Sequence, residues 1–250
     1  MNEEFYDIIA RYYDSMQEGI DHDSWAKMLD SFIKEYCKSE PQGEDGKRLI
    51  CDLGCGSGTI TIKLEQDYGY DLIGIDHSVL MLDEARNLAG EDSTILWLNQ
   101  DITEYELYGK ADVFICTTET VNHITEREAL TRIFESFATY LEEGGLFIFD
   151  VATKEHFEKT LGDNVFFEDY DDFTLLWDNS YDEETGLSTS DMTIFYSEDG
   201  QNYSRADATV YERYYSEDYL KDLAGEYGLS YITRKEEGER VFLVFRRDGE

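Results

Sequence analysis

The segment Leu49-Ile50-Cys51-Asp52-Leu53-Gly54-Cys55-Gly56-Ser57-Gly58-Thr59 constrains this chain more than any other feature. An apolar run of strand length enters a Gly-x-Gly-x-Gly turn, and residues patterned as a helix follow. Glycine lacks Cβ, so the backbone there turns sharply and admits a ligand at close range, while the start of the next helix offers unpaired N–H groups to an anionic group. Eighteen residues after Gly58, Gly74-Ile75-Asp76-His77-Ser78 closes a second apolar run with an acid. A carboxylate there is suited to accept from both hydroxyls of a ribose, which fits a nucleoside ligand lying across the strand ends. The competing reading of Asp76 is an N-cap for the helix beginning near Ser78. A third element, Asn99-Gln100-Asp101-Ile102, ends another run: Asp101 is suited to an exocyclic amine, and Ile102 offers a backbone N–H and an apolar face to an adenine ring. Taken alone, Asp101 is equally a turn or cap residue.

Around these motifs, strands and helices alternate. Strands are predicted at Arg48–Leu53, Tyr70–Ile75, Thr94–Leu98, Ala111–Thr117 and Gly145–Val151, with helices near Thr59–Tyr68, Val79–Ala89 and Thr125–Leu141. The last carries Leu130, Ile133, Phe134, Phe137, Ala138 and Leu141 on one helical stripe, and Gly144-Gly145 is expected to stop it. Two amphipathic helices open the chain, one through Phe5, Ile8, Ile9, Tyr12 and Met16, the other through Trp25, Met28, Leu29, Phe32 and Tyr36; residues 39–47, with the only proline, link them to the first strand. From Val165 to Tyr215 the pattern turns to period two, with turn signals at Thr185-Gly186 and Asp199-Gly200, which predicts an antiparallel meander. Ser216 then precedes a helix closed by Gly228, and strands follow at Leu229–Arg234 and Arg240–Arg246. The expectation is an α/β fold: a doubly wound, Rossmann-like sheet of seven strands with an antiparallel β insertion after the fifth strand. The division is residues 1–164 for the N-terminal helices and main α/β part, 165–215 for the inserted cover, and 216–250 for the last helix and two strands. In such sheets ligands bind beyond the carboxyl ends of the strands, where strand order reverses.

Composition narrows the partners. The 250 residues carry 57 acidic and 21 basic side chains, a formal net charge of −36, and no basic run reverses that field locally. Phosphate backbones are repelled, so no nucleic-acid substrate is expected. No stretch reaches the roughly 20 apolar residues of a membrane span, and the acidic first residues do not read as a signal peptide, so no membrane partner and a cytoplasmic location are expected. Hydrophobic residues at 41% support a sizeable core. Cys37, Cys51, Cys55 and Cys116 form no CxxC pair and no HExxH occurs, so neither a structural metal nor a disulfide framework is expected.

The glycine turn, Gly74-Ile75-Asp76-His77-Ser78 with Met81-Leu82-Asp83-Glu84-Ala85-Arg86, Gln100-Asp101-Ile102, and Gly144-Gly145-Leu146-Phe147-Ile148-Phe149-Asp150 together resemble the class I S-adenosylmethionine-dependent methyltransferases. The resemblance spans about residues 48 to 152, with the final helix and strands in the family's order. It implies S-adenosylmethionine as cofactor. Gly54, Cys55 and Gly56 would line its methionine part, and Asp52 would support the loop and the amino group. Asp76 would take the ribose, His77 and Met81 would lie beside the adenine, Asp101 and Ile102 would meet its edge, and Cys116 and Thr117 would face the sulfonium. Tyr12-Tyr13-Asp14 is similar to the Tyr-Asp element that many small-molecule members carry over the cofactor, which assigns Tyr13 to cofactor contact. Core packing is the alternative for that tyrosine.

A nicotinamide-dependent oxidoreductase is the nearest rival, but its Gly-x-Gly-x-x-Gly fingerprint is broken here, because the third glycine comes one residue early and Thr59 takes its place. S-adenosylmethionine is cationic, which suits an acidic chain. Methyl transfer is an in-line displacement needing orientation and, for a protonated acceptor, a base. His123, in Cys116-Thr117-Thr118-Glu119-Thr120-Val121-Asn122-His123-Ile124, is the candidate catalytic base because an imidazole titrates near neutrality. Tyr12, Asn122, His123 and Tyr211 are the expected acceptor contacts. The same segment lacks the (Asn/Asp/Ser)-Pro-Pro-aromatic motif of enzymes that methylate base amino groups. In the insertion, 12 of 51 residues are aromatic and 13 acidic against Arg205 and Arg213, a lining that favours a neutral or cationic small molecule. A non-catalytic cofactor-binding module and a protein methyltransferase are the alternatives.

Overall fold

The computed structural model describes residue 12, residues 19–197 and residues 201–249. Tyr13, most of the opening helix and the turn at Asp199-Gly200 lie outside the described residues.

Seven strands form the central sheet: β1 Leu49–Leu53, β2 Asp71–Asp76, β3 Leu96–Asn99, β4 Ala111–Cys116, β5 Leu141–Ala152, β10 Leu229–Glu237 and β11 Arg240–Arg247. Their order is β10-β11-β5-β4-β1-β2-β3. Contacts among β1 to β5 are parallel, and β11 runs antiparallel to both β5 and β10. The chain winds outward from β1 through β2 and β3, then crosses back to β4, so the strand order reverses between β1 and β4 and leaves a crevice over their carboxyl ends.

The helices are α1 His22–Tyr36, α2 Thr59–Tyr68, α3 Val79–Ala89, a single turn α4 Thr120–His123, α5 Arg127–Tyr140 and α6 Glu217–Glu226. α1 buries Trp25, Met28, Leu29 and Ile33 on one face of the sheet, with Ile50, Val113, Ile148 and Phe242. α5 buries Leu130, Ile133, Phe134 and Phe137 on the other, against Phe147 and Phe149. The amphipathic periods thus resolve into two cores, one on each sheet face. Ser78 and Ser216 cap α3 and α6 by accepting from Met81 N and Tyr219 N.

The long helix expected from Thr125 differs in its details. It begins at Arg127, and it stops at Tyr140 because Leu141 already pairs with Ala111 at the sheet. Ala138, within the helix, is exposed, and Leu141 is buried as a strand residue. Gly144-Gly145 therefore lies within β5, where Gly144 adopts φ 76° as it passes the backbone of Lys38 and Ser39.

After β5, β6 Val165–Asp169, β7 Phe173–Asp182, β8 Leu187–Tyr196 and β9 Ser204–Arg213 form a separate antiparallel sheet in sequence order. One face carries Phe173, Leu175, Trp177, Met192, Ile194, Ala206 and Ala208, and Tyr12 packs onto it. The base of this sheet is pinned to the α/β unit: Asn122 Nδ2 donates to Arg213 O at 2.8 Å, and Arg213 Nε donates to Thr125 O at 2.6 Å. Among the described residues no helix is long and apolar enough to cross a membrane.

Candidate active site

The turn after β1 places Gly54, Gly56 and Gly58 at φ 73°, 55° and 78°, all in the left-handed region that glycine enters without strain. Gly54 N and Cys55 N both donate to Ile75 O, at 2.8 and 3.0 Å, which ties the turn to β2. Gly56 N donates to Asp76 Oδ2 at 2.9 Å and Ser78 N donates to Asp76 Oδ1 at 2.8 Å. Asp76 therefore clamps the glycine turn to the start of α3, while the cap itself is Ser78. Asn99 Nδ2 holds the carbonyls of Asp76 and His77 from β3. The backbone from Gly54 to Gly56 stays half-exposed at the crevice, whereas the strand before it is buried.

The glycines also make room for protein. A Cβ on Gly58 would lie 2.5 Å from the Trp97 ring, and one on Gly54 would lie 2.5 Å from the Thr120 methyl group. Bare backbone at Gly54 thus lets the turn after β4 close against the turn after β1.

Beneath the turn, Asp52 is 1% exposed; Thr61 Oγ1 donates to its Oδ2 at 2.5 Å, and Oδ1 is buried with no partner. Burial raises its pKa to about 7, partly offset by the Thr61 bond and reinforced by Asp76. An orphaned carboxylate oxygen under an exposed glycine turn is matched by a ligand that brings an ammonium group, directly or through water, so the residues here fit the methionine part of S-adenosylmethionine. Around the crevice, His77 is exposed with Nδ1 3.6 Å from Asp76 Oδ1, and Met81 is buried on α3. Asp101 is exposed and accepts from Thr103 N and Oγ1 through Oδ1, each at 2.8 Å, so it is a turn residue whichever further role it has. Ile102 is half-buried against the core. Thr117 is the residue that follows β4, and it is buried. Cys116, expected beside the sulfonium, is instead fully enclosed in the core below, and burial keeps its thiol protonated by pushing its pKa well up.

Across the crevice, Thr118 and Glu119 adopt φ 58° and 61°, two successive non-glycine residues in the left-handed region. Such backbone costs energy unless its surroundings hold it. Asp150, fully buried in β5, provides that hold by accepting Glu119 N at Oδ2, 3.1 Å away. Its other oxygen is unpartnered, and burial raises its pKa to about 7 against the opposing effect of Arg240. Arg240 Nε donates to Glu119 Oε1 at 2.9 Å, and the guanidinium lies 5.3 Å from the Trp25 ring. His123, its side chain 45% exposed, closes α4 with Nε2 3.8 Å from Glu212 Oε1 of β9.

Two expected acceptor contacts lie elsewhere. Asn122 is fully buried; its Nδ2 holds Arg213 O and its Oδ1 accepts Ala152 N at 2.9 Å, so it braces the antiparallel sheet and β5. Tyr211 pairs with Thr189, on the face of β9 opposite Ala206, Ala208 and Glu212, and is 45% exposed to solvent. Tyr12 packs on the inward face, 4.5 Å from the Phe173 ring and 6.4 Å from that of Tyr196. Glu119, Asp150, Glu212 and Arg240 were not among the expected site residues. The available signals were an acid inside the apolar run Phe147–Val151 and an acid continuing the inward stripe of β9.

Residues 50–145 match a family model described as a methyltransferase domain. A protein of Geobacillus sp. (strain WCH70), named for methyltransferase activity, is 25% identical over 97% of this chain and 99% of its own. A crystal structure of an S-adenosylmethionine-dependent methyltransferase from Clostridium acetobutylicum ATCC 824 superposes with a TM-score of 0.82 at 25% identity, covering 98% of this chain and 99% of that one. The sugar N-methyltransferase KedS8 from Streptoalloteichus sp. superposes with a TM-score of 0.75 at 16% identity, over 95% and 93% of the two chains. Strand order, glycine turn and these matches are those of the class I S-adenosylmethionine-dependent methyltransferases, and residues 50–145 are the methyltransferase domain of such an enzyme. Its cofactor is S-adenosylmethionine.

Proposed function

We propose that this enzyme methylates an amino group of a neutral or cationic small molecule, held between the carboxyl ends of β4 and β5 and the inward face of the antiparallel sheet. The observation that carries this reading is the placement of His123. It is an exposed imidazole on the turn that packs against the glycine loop, facing Glu212. The cofactor supplies an electrophilic methyl group on a sulfonium that leaves as a neutral thioether. Gly54, Cys55, Gly56, Asp76, His77, Met81, Asp101 and Ile102 would hold and orient it, with Asp52 beneath its amino group and Thr117 near its sulfur.

The chain's own contributions to the step are orientation and proton management. Contact between the turns at Gly54 and Thr120 fixes the distance between the cofactor and acceptor subsites, the geometric condition for in-line displacement. His123 takes the proton that an amine must shed to become nucleophilic or to leave as product. Glu119 and Glu212 give the rim a negative field that favours an ammonium-bearing acceptor over an anion. Tyr12 and the inward aromatics supply apolar faces to its body. The sugar N-methyltransferase that shares this fold acts on an amine-bearing small molecule, which supports the same acceptor class here.

The test uses S-adenosylmethionine carrying a labelled methyl group, incubated with the enzyme and a cell extract divided into small-molecule and macromolecular fractions. Label is expected in the small-molecule fraction on a compound with a basic nitrogen, and His123→Asn should lower the rate by roughly 100-fold. Label confined to the macromolecular fraction, or no transferred label, would overturn the proposal.

A further inference from the structure

On β9 the side chains facing the α/β unit run Ala206, Ala208, Val210 and then Glu212, by the alternation of a strand and its register with β8. Three small or apolar residues are thus followed by one acid at the buried base of the stripe, where apolar packing would be the ordinary choice. The acid is held there by its neighbours. Arg213 O accepts from Asn122 Nδ2 at 2.8 Å, Arg213 Nε donates to Thr125 O at 2.6 Å, and Asn122 Oδ1 accepts Ala152 N at 2.9 Å. These bonds bracket His123 in sequence and fix β9 directly opposite it. Among the described residues, His123 Nε2 is the one basic nitrogen within 4.0 Å of the Glu212 carboxylate. Other titratable or charged groups that act on Glu212 are Glu119 after β4, His156 after β5 and Arg240 at the start of β11. Arg240 is engaged by Glu119, and His156 Nδ1 by Glu239 at 2.8 Å.

We infer that Glu212 is a positioning residue for methyl transfer: its carboxylate, delivered by the antiparallel sheet, orients the His123 ring and compensates the charge that ring gains when it takes the acceptor's proton. The proton passes from the acceptor nitrogen to a His123 ring nitrogen and then to solvent, with Glu212 remaining a carboxylate throughout. The inserted sheet therefore supplies a working part of the proton-accepting machinery as well as a wall for the acceptor. This inference rests on the assignment of His123 in the proposed function.

Glu212 needs its charge for this role, and burial raises its pKa above the ordinary glutamate value while His123 opposes that rise. The rate advantage of the wild type over Glu212→Gln should therefore depend on pH. At the alkaline end of the range, where ionisation of the carboxylate is most favoured, the wild type should be faster by roughly 10-fold or more. As pH falls through the titration of Glu212 the two rates should converge, because a protonated glutamate resembles glutamine. Glu212→Asp, which keeps the charge one methylene further away, should recover part of the alkaline rate.

The experiment measures transfer of labelled methyl groups into the small-molecule fraction from pH 5 to 9 for wild type, E212Q and E212D. A thermal upshift with S-adenosylhomocysteine is required of each variant as proof of folding and an intact cofactor site. A wild type that labels small molecules beside an E212Q enzyme equally fast at the alkaline end, or slower by one constant factor at every pH, would overturn the inference and leave the proposed function standing. A wild type that labels no small molecule would overturn both. If E212Q fails the upshift, E212D carries the decision: a rate at the alkaline end equal to that of the wild type would overturn the inference.

Discussion

The two sides of the crevice are built differently. On the β1–β2 side, the bonds that shape the crevice run between main chain, the Asp76 carboxylate and the Asn99 amide, and join residues about one strand–helix unit apart, Gly56 to Asp76 and Asn99 to Asp76. On the β4–β5 side, Glu119, Asp150, Glu212 and Arg240 come from four separate stretches of chain, and Asp150 Oδ1 and Arg240 Nη1 remain buried without partners. On the reading proposed above, the first side would be a preformed cradle for the cofactor. The second is a strained, charge-rich assembly that exists only once β11 and the antiparallel sheet have docked. Affinity for the cofactor should therefore follow substitutions on the first side, and turnover and pH response those on the second.

The most severe test of that division is Asp76→Ala. Its carboxylate accepts from both Gly56 N and Ser78 N and is the candidate ribose acceptor, so its loss should weaken S-adenosylhomocysteine binding by roughly 100-fold in calorimetry. A change within twofold would remove Asp76 from the cofactor site. Gly54→Ala tests the seam between the sides. The new Cβ would strain a φ of 73° and collide with Thr120, pushing the acceptor turn outward. Turnover with the acceptor identified for the wild type should drop by about 10-fold, a larger effect than on S-adenosylhomocysteine affinity. Equal losses in the two would show that the seam is not where the subsites meet.

The same division explains what could be read from the chain before its structure. α2 and α3 fall on the predicted Thr59–Tyr68 and Val79–Ala89, and the seven-stranded sheet with its antiparallel insertion follows from the alternation of periods, because helix stripes and strand runs are local signals. The meeting of the glycine turn with Asp76 was legible for the same reason: a glycine turn and an acid one unit later are separated by a nearly fixed length of chain. Asn122 and Tyr211 were misread because proximity in sequence to a strand end, or aromatic character, does not fix which way a side chain points. Asn122 turns inward to saturate two backbone groups, and one step of register puts Tyr211 on the outer face. Cys116 shares that cause, since the last residue of β4 points into the core. The ion pair of Glu119 with Arg240 joins residues more than a hundred positions apart, and no local pattern announces such a pairing.

On the β4–β5 side, Asp150→Asn should alter the pH dependence of stability. The folded protein raises the pKa of Asp150 from 3.8 to about 7, so between those values the native state holds a proton that the unfolded chain has released. That contribution is complete below pH 4 and is lost as pH rises through 7, on the order of 4 kcal/mol at most for the group. Thermal melts of the wild type should thus lose more stability between pH 5 and pH 8 than those of Asp150→Asn, which has no proton to release. Growing repulsion among the other carboxylates acts on both proteins and cancels in the difference. Parallel curves would show that Asp150 is ionised in the native state and that Arg240 outweighs burial.

The smallest effect belongs to Tyr211→Ala. Its ring stands on the solvent face of β9, across the strand from the stripe that ends at Glu212, and its neighbour in register is Thr189. Turnover and S-adenosylhomocysteine affinity should both stay within about twofold of the wild type, and the loss of one exposed cross-strand contact should cost no more than about 1 kcal/mol in denaturant melts. The comparison is useful because Glu212 is the very next residue on the same strand. If Tyr211→Ala impairs catalysis as much as Glu212→Gln, the strand as a whole is being disturbed and the alternation of its two faces carries no functional meaning. If only the inward neighbour matters, the pleat itself separates the acceptor side from solvent, one residue at a time.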